Sequence, residues 1–172
     1  AEYGLSGFLI EGLDATNAEE IRRGMEELRA ISAKTDDQHF FSAFDRESCV
    51  LSPPPSPMTH HPSNLAIAAT RNPRFAYIAS RQIGLEMRAM GLNVLIAPLA
   101  DVPSPRNISA VETFGDELDL VKQMSVRFID GLATGDVFCW VNHFPRRLVL
   151  PKPGAAPFYL EVPDLLLANT AG

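Results

Sequence analysis

Short apolar runs that alternate with longer amphipathic stretches constrain the fold of this chain more than any other feature. Leu5 to Ile10 is a strand-length apolar run between Gly4 and Gly12. From Asp14 to Ser32, apolar residues then recur at Ile21, Met25, Leu28 and Ile31, which places them on one stripe of a helix. Asp14, Thr16 and Asn17 are its candidate N-caps. His39 to Phe44, ending at Asp45, reads as a second strand. Leu51 to Ser63 holds Pro53, Pro54, Pro55, Pro57 and Pro62, a density that removes backbone donors and predicts a loop. Helical spacing returns with Phe75, Ile78, Ala79, Ile83, Met87 and Met90, and Gly91 is the expected C-cap before a third strand, Leu92 to Pro98. A long loop from Asp101 to Thr113 leads to a helix over Leu118 to Leu132, closed by Gly135, and to a fourth strand, Val137 to Val141.

Strands separated by helices imply βαβ units, a mostly parallel sheet and right-handed crossovers. Barrels and open doubly wound sheets both satisfy this pattern. A complete barrel takes eight units in about 250 residues, whereas these 172 residues supply four. The expected fold is therefore α/β, a partial (β/α) TIM-type barrel of about four βα units with parallel strands. It is expected as a single domain over 1–172, with the units in 1–141 and a loop and tail in 142–172. The tail contains two short apolar runs, Phe158 to Val162 and Leu165 to Leu167. A four-stranded piece of barrel leaves its first and fourth strands with open edges; Phe158 to Val162 could cover the fourth strand and would leave the other edge open, so a homo-oligomer is expected.

Composition narrows the partners. With 46% hydrophobic and 21% charged residues the chain suits a globular domain. A net charge of −6 and a pI near 5.2 argue against nucleic acid or an anionic membrane surface, and no apolar run is long enough to span a bilayer. A small neutral ligand fits better. The first residue is Ala1, no basic region followed by an apolar stretch stands at the N-terminus, and the compartment is left open. Two cysteines, Cys49 and Cys139, are expected as plain thiols. His39, His60 and His61 lack the helical spacing of zinc ligands, so they are expected at the surface and no metal is expected. No nucleotide-binding glycine motif or nucleophile elbow occurs, and no cofactor is expected. Trp140, inside the fourth strand, is expected in the core.

In parallel α/β folds the ligand site lies at the carboxyl ends of the strands. The residues there are Glu11, Asp45 with Glu47, Asp101, and Asn142 with His143. Carboxylates and an imidazole on one rim are the groups that acid–base chemistry on a sugar would use. Each also has a plain structural role open to it, Asp45 and Asp101 as caps of turns or helices and His143 as a hydrogen-bonded structural histidine.

Four stretches then resemble family 3 glycoside hydrolases in order and spacing. Leu85 to Val102, LEMRAMGLNVLIAPLADV, is similar to that family's helix, "ALGIN" turn and "APVLDV" strand. Phe128 to Pro145, FIDGLATGDVFCWVNHFP, resembles its "F..G....GV....KHFPGHG" segment. FDRESCV at Phe44 to Val50 stands where the family has "DQEGGRV", and Ser6 to Ile31 resembles the first strand and helix of its N-acetylglucosaminidase branch. The resemblance implies a carbohydrate-related barrel domain in which Asp45 and His143 hold sugar hydroxyls, with Asp101 and Asn142 beside them as substrate-binding residues.

The departures from that pattern bear on activity. Asn142 takes the place of the family's lysine, which removes a charge-assisted hydrogen bond to the sugar. SAVETFG at Ser109 to Gly115 has Glu112 nearest to the place of an arginine. Arg146, Arg147 and Leu148 replace the "GHG" loop, no Asp-Ser-His triplet follows, and the family's catalytic aspartate lies on a later strand of its barrel. No catalytic residue is therefore matched. The expectation is a family 3-like domain without hydrolysis of its own, acting as a weak sugar-binding or assembly domain. The alternative is a fragment or subunit of an active β-N-acetylglucosaminidase or β-glucosidase.

Overall fold

The computed structural model describes residues 6–11, 17–33, 40–46, 53–103 and 110–142. The order is β1 (Gly7–Glu11), α1 (Ala18–Ser32), β2 (Phe41–Asp45), α2 (Asn64–Ala69), α3 (Pro73–Ala89), β3 (Val94–Leu99), a 3₁₀ turn (Ala110–Glu112), α4 (Leu118–Ala133) and β4 (Phe138–Asn142). The strands form one parallel sheet in the order β1-β2-β3-β4. The α/β class and the four parallel units expected from periodicity are thus observed. The tail, Phe158 to Val162 included, lies outside the described residues.

The helices begin and end where local chemistry directs. Of the three candidate caps it is Asn17 that accepts the backbone N–H groups of Glu19 and Glu20, at 2.9 and 3.3 Å. Asn72 caps α3 ahead of Pro73, whose missing N–H costs nothing in the first turn. At the other end of α3, Gly91 takes φ 86° while its N–H bonds Arg88 O and the Leu92 N–H bonds Met87 O, each at 3.0 Å. Those paired bonds satisfy the last carbonyls of the helix and turn the chain into β3.

Between the prolines and α3, Ser63 caps a short helix, α2, whose NLAIAA is rich in alanine and leucine. One local reading is corrected. Gly135 does not close α4 by adopting a left-handed conformation; that role falls to Asp136, at φ 58°. Gly135 is needed because it lies against the backbone of Gly84, in the crossing where α3 packs on α4.

Side chains alternate across the sheet. Phe8, Ile10, Phe44, Leu95, Ala97 and Cys139 face the helices and join a core with Met25, Met87, Met124, Phe128 and Leu132. Among the described residues the opposite face is open. Leu9, Phe41, Phe138 and Trp140 are 47, 51, 69 and 66% exposed there, so Trp140 is not a core residue. A parallel sheet normally has both faces covered, and here the described helices lie on a single face, as in a barrel segment.

Candidate functional site

Strand register decides which rim residues meet. Glu11 pairs with Asp45, Asp45 with Ile96, and Ile96 with Trp140, a single row across the carboxyl end of the sheet. Because residues in register share a face, Glu11, Asp45 and Trp140 all stand on the open side, with neighbouring backbones about 4.8 Å apart. Asp45 is half-buried and Glu11 exposed. Pro98 has no N–H to give to the ladder, and the register of β3 with β4 shifts between Ile96 and Leu99, where Leu99 comes to pair with Asn142.

Beyond the strands the rim is held by further bonds. The Ala100 N–H donates to Asn142 O at 3.2 Å, which brings Asp101 and Asn142 to the same level. Asp101 is buried at 6% exposure, and its Oδ1 accepts the N–H of Val102 at 3.0 Å. Thr113 bridges to Leu99, and the Asn64 side-chain amide donates to Glu112 O at 2.8 Å, so the 3₁₀ turn is tied to both β3 and α2. Glu112, which stands nearest to the place of the family's arginine, is 8% exposed and engaged. His143 and Glu47 lie outside the described residues. Asp45, Asp101 and Asn142 are therefore the candidates that the structure places, all three at the carboxyl end of the sheet.

Arg46 escaped the sequence reading. It is 7% exposed and its guanidinium carbon lies 5.8 Å from the Phe44 ring centroid. Its signal in the sequence was a basic residue immediately after a strand. Being next to Asp45 it points to the other face of β2, into a small cleft that also borders on Met58, His61, Asn64 and Phe128. The proline-rich loop covers this cleft. It is pinned at one end by the Ala18 N–H to Ser56 O bond of 2.9 Å and further along by Glu86, whose carboxylate accepts the Thr59 N–H at 3.1 Å and the Thr59 hydroxyl at 2.5 Å. Burial works to raise the pKa of Glu86, but the bonds from Thr59 and Gln82 outweigh it and hold the carboxyl below the usual range. His61 is half-buried instead of lying on the surface, and burial pushes its pKa down. Cys139 donates to Ala97 O at 2.7 Å and burial pushes its thiol up to about 12, which leaves it protonated and unreactive at neutral pH; Cys49 lies outside the described residues.

A four-stranded parallel sheet with helices on one face and polar groups at its carboxyl rim is the class of a TIM-type barrel segment. The comparisons agree. The family description "Glycosyl hydrolase family 3 N terminal domain" matches residues 2–147. The chain belongs to glycosyl hydrolase family 3. A beta-N-acetylglucosaminidase/beta-glucosidase of Cellulomonas fimi is 33% identical over 89 residues, 51% of this chain and 16% of that protein. Among solved structures, the family 3 beta-N-acetylglucosaminidase of Paenibacillus sp. superposes with a TM-score of 0.75 at 27% identity, covering 82% of this chain and 27% of that one. The beta-N-acetylglucosaminidase of Thermotoga maritima gives 0.65 at 25% identity, covering 81% and 28%. This chain spans about a quarter of the length of those two structures.

Proposed function

We propose that this domain is a sugar-holding half of a family 3 barrel, without hydrolysis of its own, that pairs with a second copy through its open face. The observation that supports the sugar site best is the pairing of Glu11 with Asp45 at the carboxyl rim, with Asp101 and Asn142 at the same rim. Carboxylates accept charge-assisted bonds from sugar hydroxyls. N-acetylglucosamine is the first ligand to test, because the relatives named above act on N-acetylglucosaminides by name. His143 joins the site on the resemblance of Asn142-His143 to the family's Lys-His pair.

Geometry also bears on hydrolysis. A retaining glycosidase needs two carboxyl groups flanking the scissile bond about 5 Å apart. Glu11 and Asp45 are neighbours, but they project from one side of one sheet and so would meet the sugar from the same direction. Titration with N-acetylglucosamine should give an affinity near 1 mM, about 4 kcal/mol, and Asp45→Ala should weaken it at least about tenfold, the value of one charge-assisted bond. Nitrophenyl N-acetylglucosaminide should show no turnover above background. Turnover abolished by Asp45→Asn would overturn this reading.

The second reading is that these residues form one part of an active β-N-acetylglucosaminidase or β-glucosidase. The observation favouring it is that the chain spans only about a quarter of the solved relatives. The mass of the natural gene product separates the two, since about 35 kDa or more would hold eight units.

A further inference from the structure

We propose that an exposed seam on α3 docks α1 of a second copy, antiparallel to it, so that copies of this chain associate head to tail above about 0.1 mM. The surface is distinct from the open sheet face, because the helices pack on the other side of the sheet. On α3, Phe75, Ile78 and Leu85 follow one another at three and seven residues, and on α1 Leu28 and Ile31 lie three apart, so each set keeps to one side of its helix. These five side chains are 38–56% exposed, whereas Ile21 and Met25 of α1 and Ala76, Ala79 and Met87 of α3 are buried.

Opposite charges border the two seams. Arg81 and Arg88 stand seven residues apart beside the α3 seam, and Glu20 and Glu27 stand seven apart beside that of α1. Their neighbours Glu19 and Glu26 are engaged with Arg22. Glu20, Glu27 and Arg81 make no ion pair among the described residues, and Arg88 makes one to the exposed Asp136 at 3.2 Å. Pairing α3 with α3 would oppose arginine to arginine, and pairing α1 with α1 would oppose glutamate to glutamate; only the unlike seams attract.

One register satisfies both the apolar and the charged residues. Glu27 immediately precedes Leu28, and Arg81 immediately precedes Gln82, which lies between Ile78 and Leu85 in the α3 seam, so both charges stand on the same flank of their seams. Two helices that face each other bring like flanks together only when they run in opposite directions. Setting Ile31 level with Phe75 of the second copy then sets Leu28 level with Ile78. It leaves Glu27 two residues from the level of Arg81 and Glu20 two residues from that of Arg88, about 3 Å along the axis. A contact between unlike faces is heterologous, so a third copy adds to the second in the same way. A stable interface takes roughly 20–30 residues a side. This one is far smaller, hence weak, and leaves the mass at tens of micromolar unchanged.

Sedimentation equilibrium of the whole chain from about 10 µM to about 1 mM tests the contact. Above about 0.1 mM the mass should rise beyond that of the base unit, whether that unit is one chain or two chains paired through the open face. The same rise in the Phe138→Asp, Trp140→Asp chain separates this contact from that pairing. Glu27→Arg and Arg81→Glu should each move the rise at least about tenfold upward in concentration, since like charges then meet. The two substitutions in one chain should restore it, because every contact again sets an arginine against a glutamate. Both side chains are exposed, and circular dichroism checks that each variant keeps its helices. No rise in the unaltered chain, single variants that associate as the unaltered chain does, or a double variant no better than the singles would each overturn the proposal. Binding to phosphatidylglycerol vesicles that Arg81→Glu abolishes, without any rise in mass, would overturn it too and assign the α3 seam to a membrane surface.

Discussion

Gly131→Ala is expected to lower the melting temperature by roughly 5–15 °C, while Gly24→Ala raises it by a few degrees. The same methyl group has opposite effects because the two glycines meet different surroundings. Gly24 lies within α1, and a Cβ added there meets nothing within 4 Å. Alanine then gains the ordinary helix preference of about 0.5–1 kcal/mol. Gly131 lies where α4 crosses α3, and its Cβ would overlap Ser80 Oγ and the carbonyl oxygen of Tyr77, and would come within 2.9 Å of the Arg81 nitrogen. Ser80 is fully buried, and two of the three obstacles are α3 backbone, so rotating one side chain does not make room. The helices must separate, at a cost of about 2–4 kcal/mol, as overpacked sites show. Thermal unfolding followed by circular dichroism checks both variants. A stable Gly131→Ala protein would mean that the α3–α4 contact is looser than described.

Light scattering of the chain at tens of micromolar is expected to give about twice its 18.8 kDa mass, and Phe138→Asp with Trp140→Asp to restore a monomer. Four large apolar side chains on the open face, two of them on β4, stand more exposed than a parallel sheet ordinarily leaves them. Closing two such faces on each other buries them, and a stable interface needs about 1,200 Å² in total. Aromatic residues at the centre of such a contact are worth about 2 kcal/mol or more each, so losing one weakens association at least about 30-fold. Two aspartates add the cost of burying charge. A monomer that keeps its secondary structure on dilution would overturn the pairing and direct attention to the tail as the cover. Unchanged mass in the double variant would place any contact elsewhere.

Much of the fold was legible because its determinants are local. Apolar spacing of three and four residues identified α1, α3 and α4, and the Gly91 stop was visible because a left-handed residue after a helix favours glycine. Of the candidate residues, the strand ends marked Asp45, Asp101 and Asn142, which the fold puts at the carboxyl rim of the sheet. Other positions were decided by partners distant in sequence. A strand with apolar residues on both faces does not reveal which face the helices will cover, so Trp140 read as core and emerged on the open side. Gly135 read as a helix stop because its real reason, the backbone of Gly84, is reached only when α3 and α4 pack. Arg46 and His61 share a cleft because Ser56 meets Ala18 and Thr59 meets Glu86 across long stretches of chain. Periodicity and capping are written in neighbouring residues and so belong to the sequence; the choice of face, the close approach of two helices and the walls of a cleft arise only when distant segments compete for the same space, and tertiary packing alone decided them.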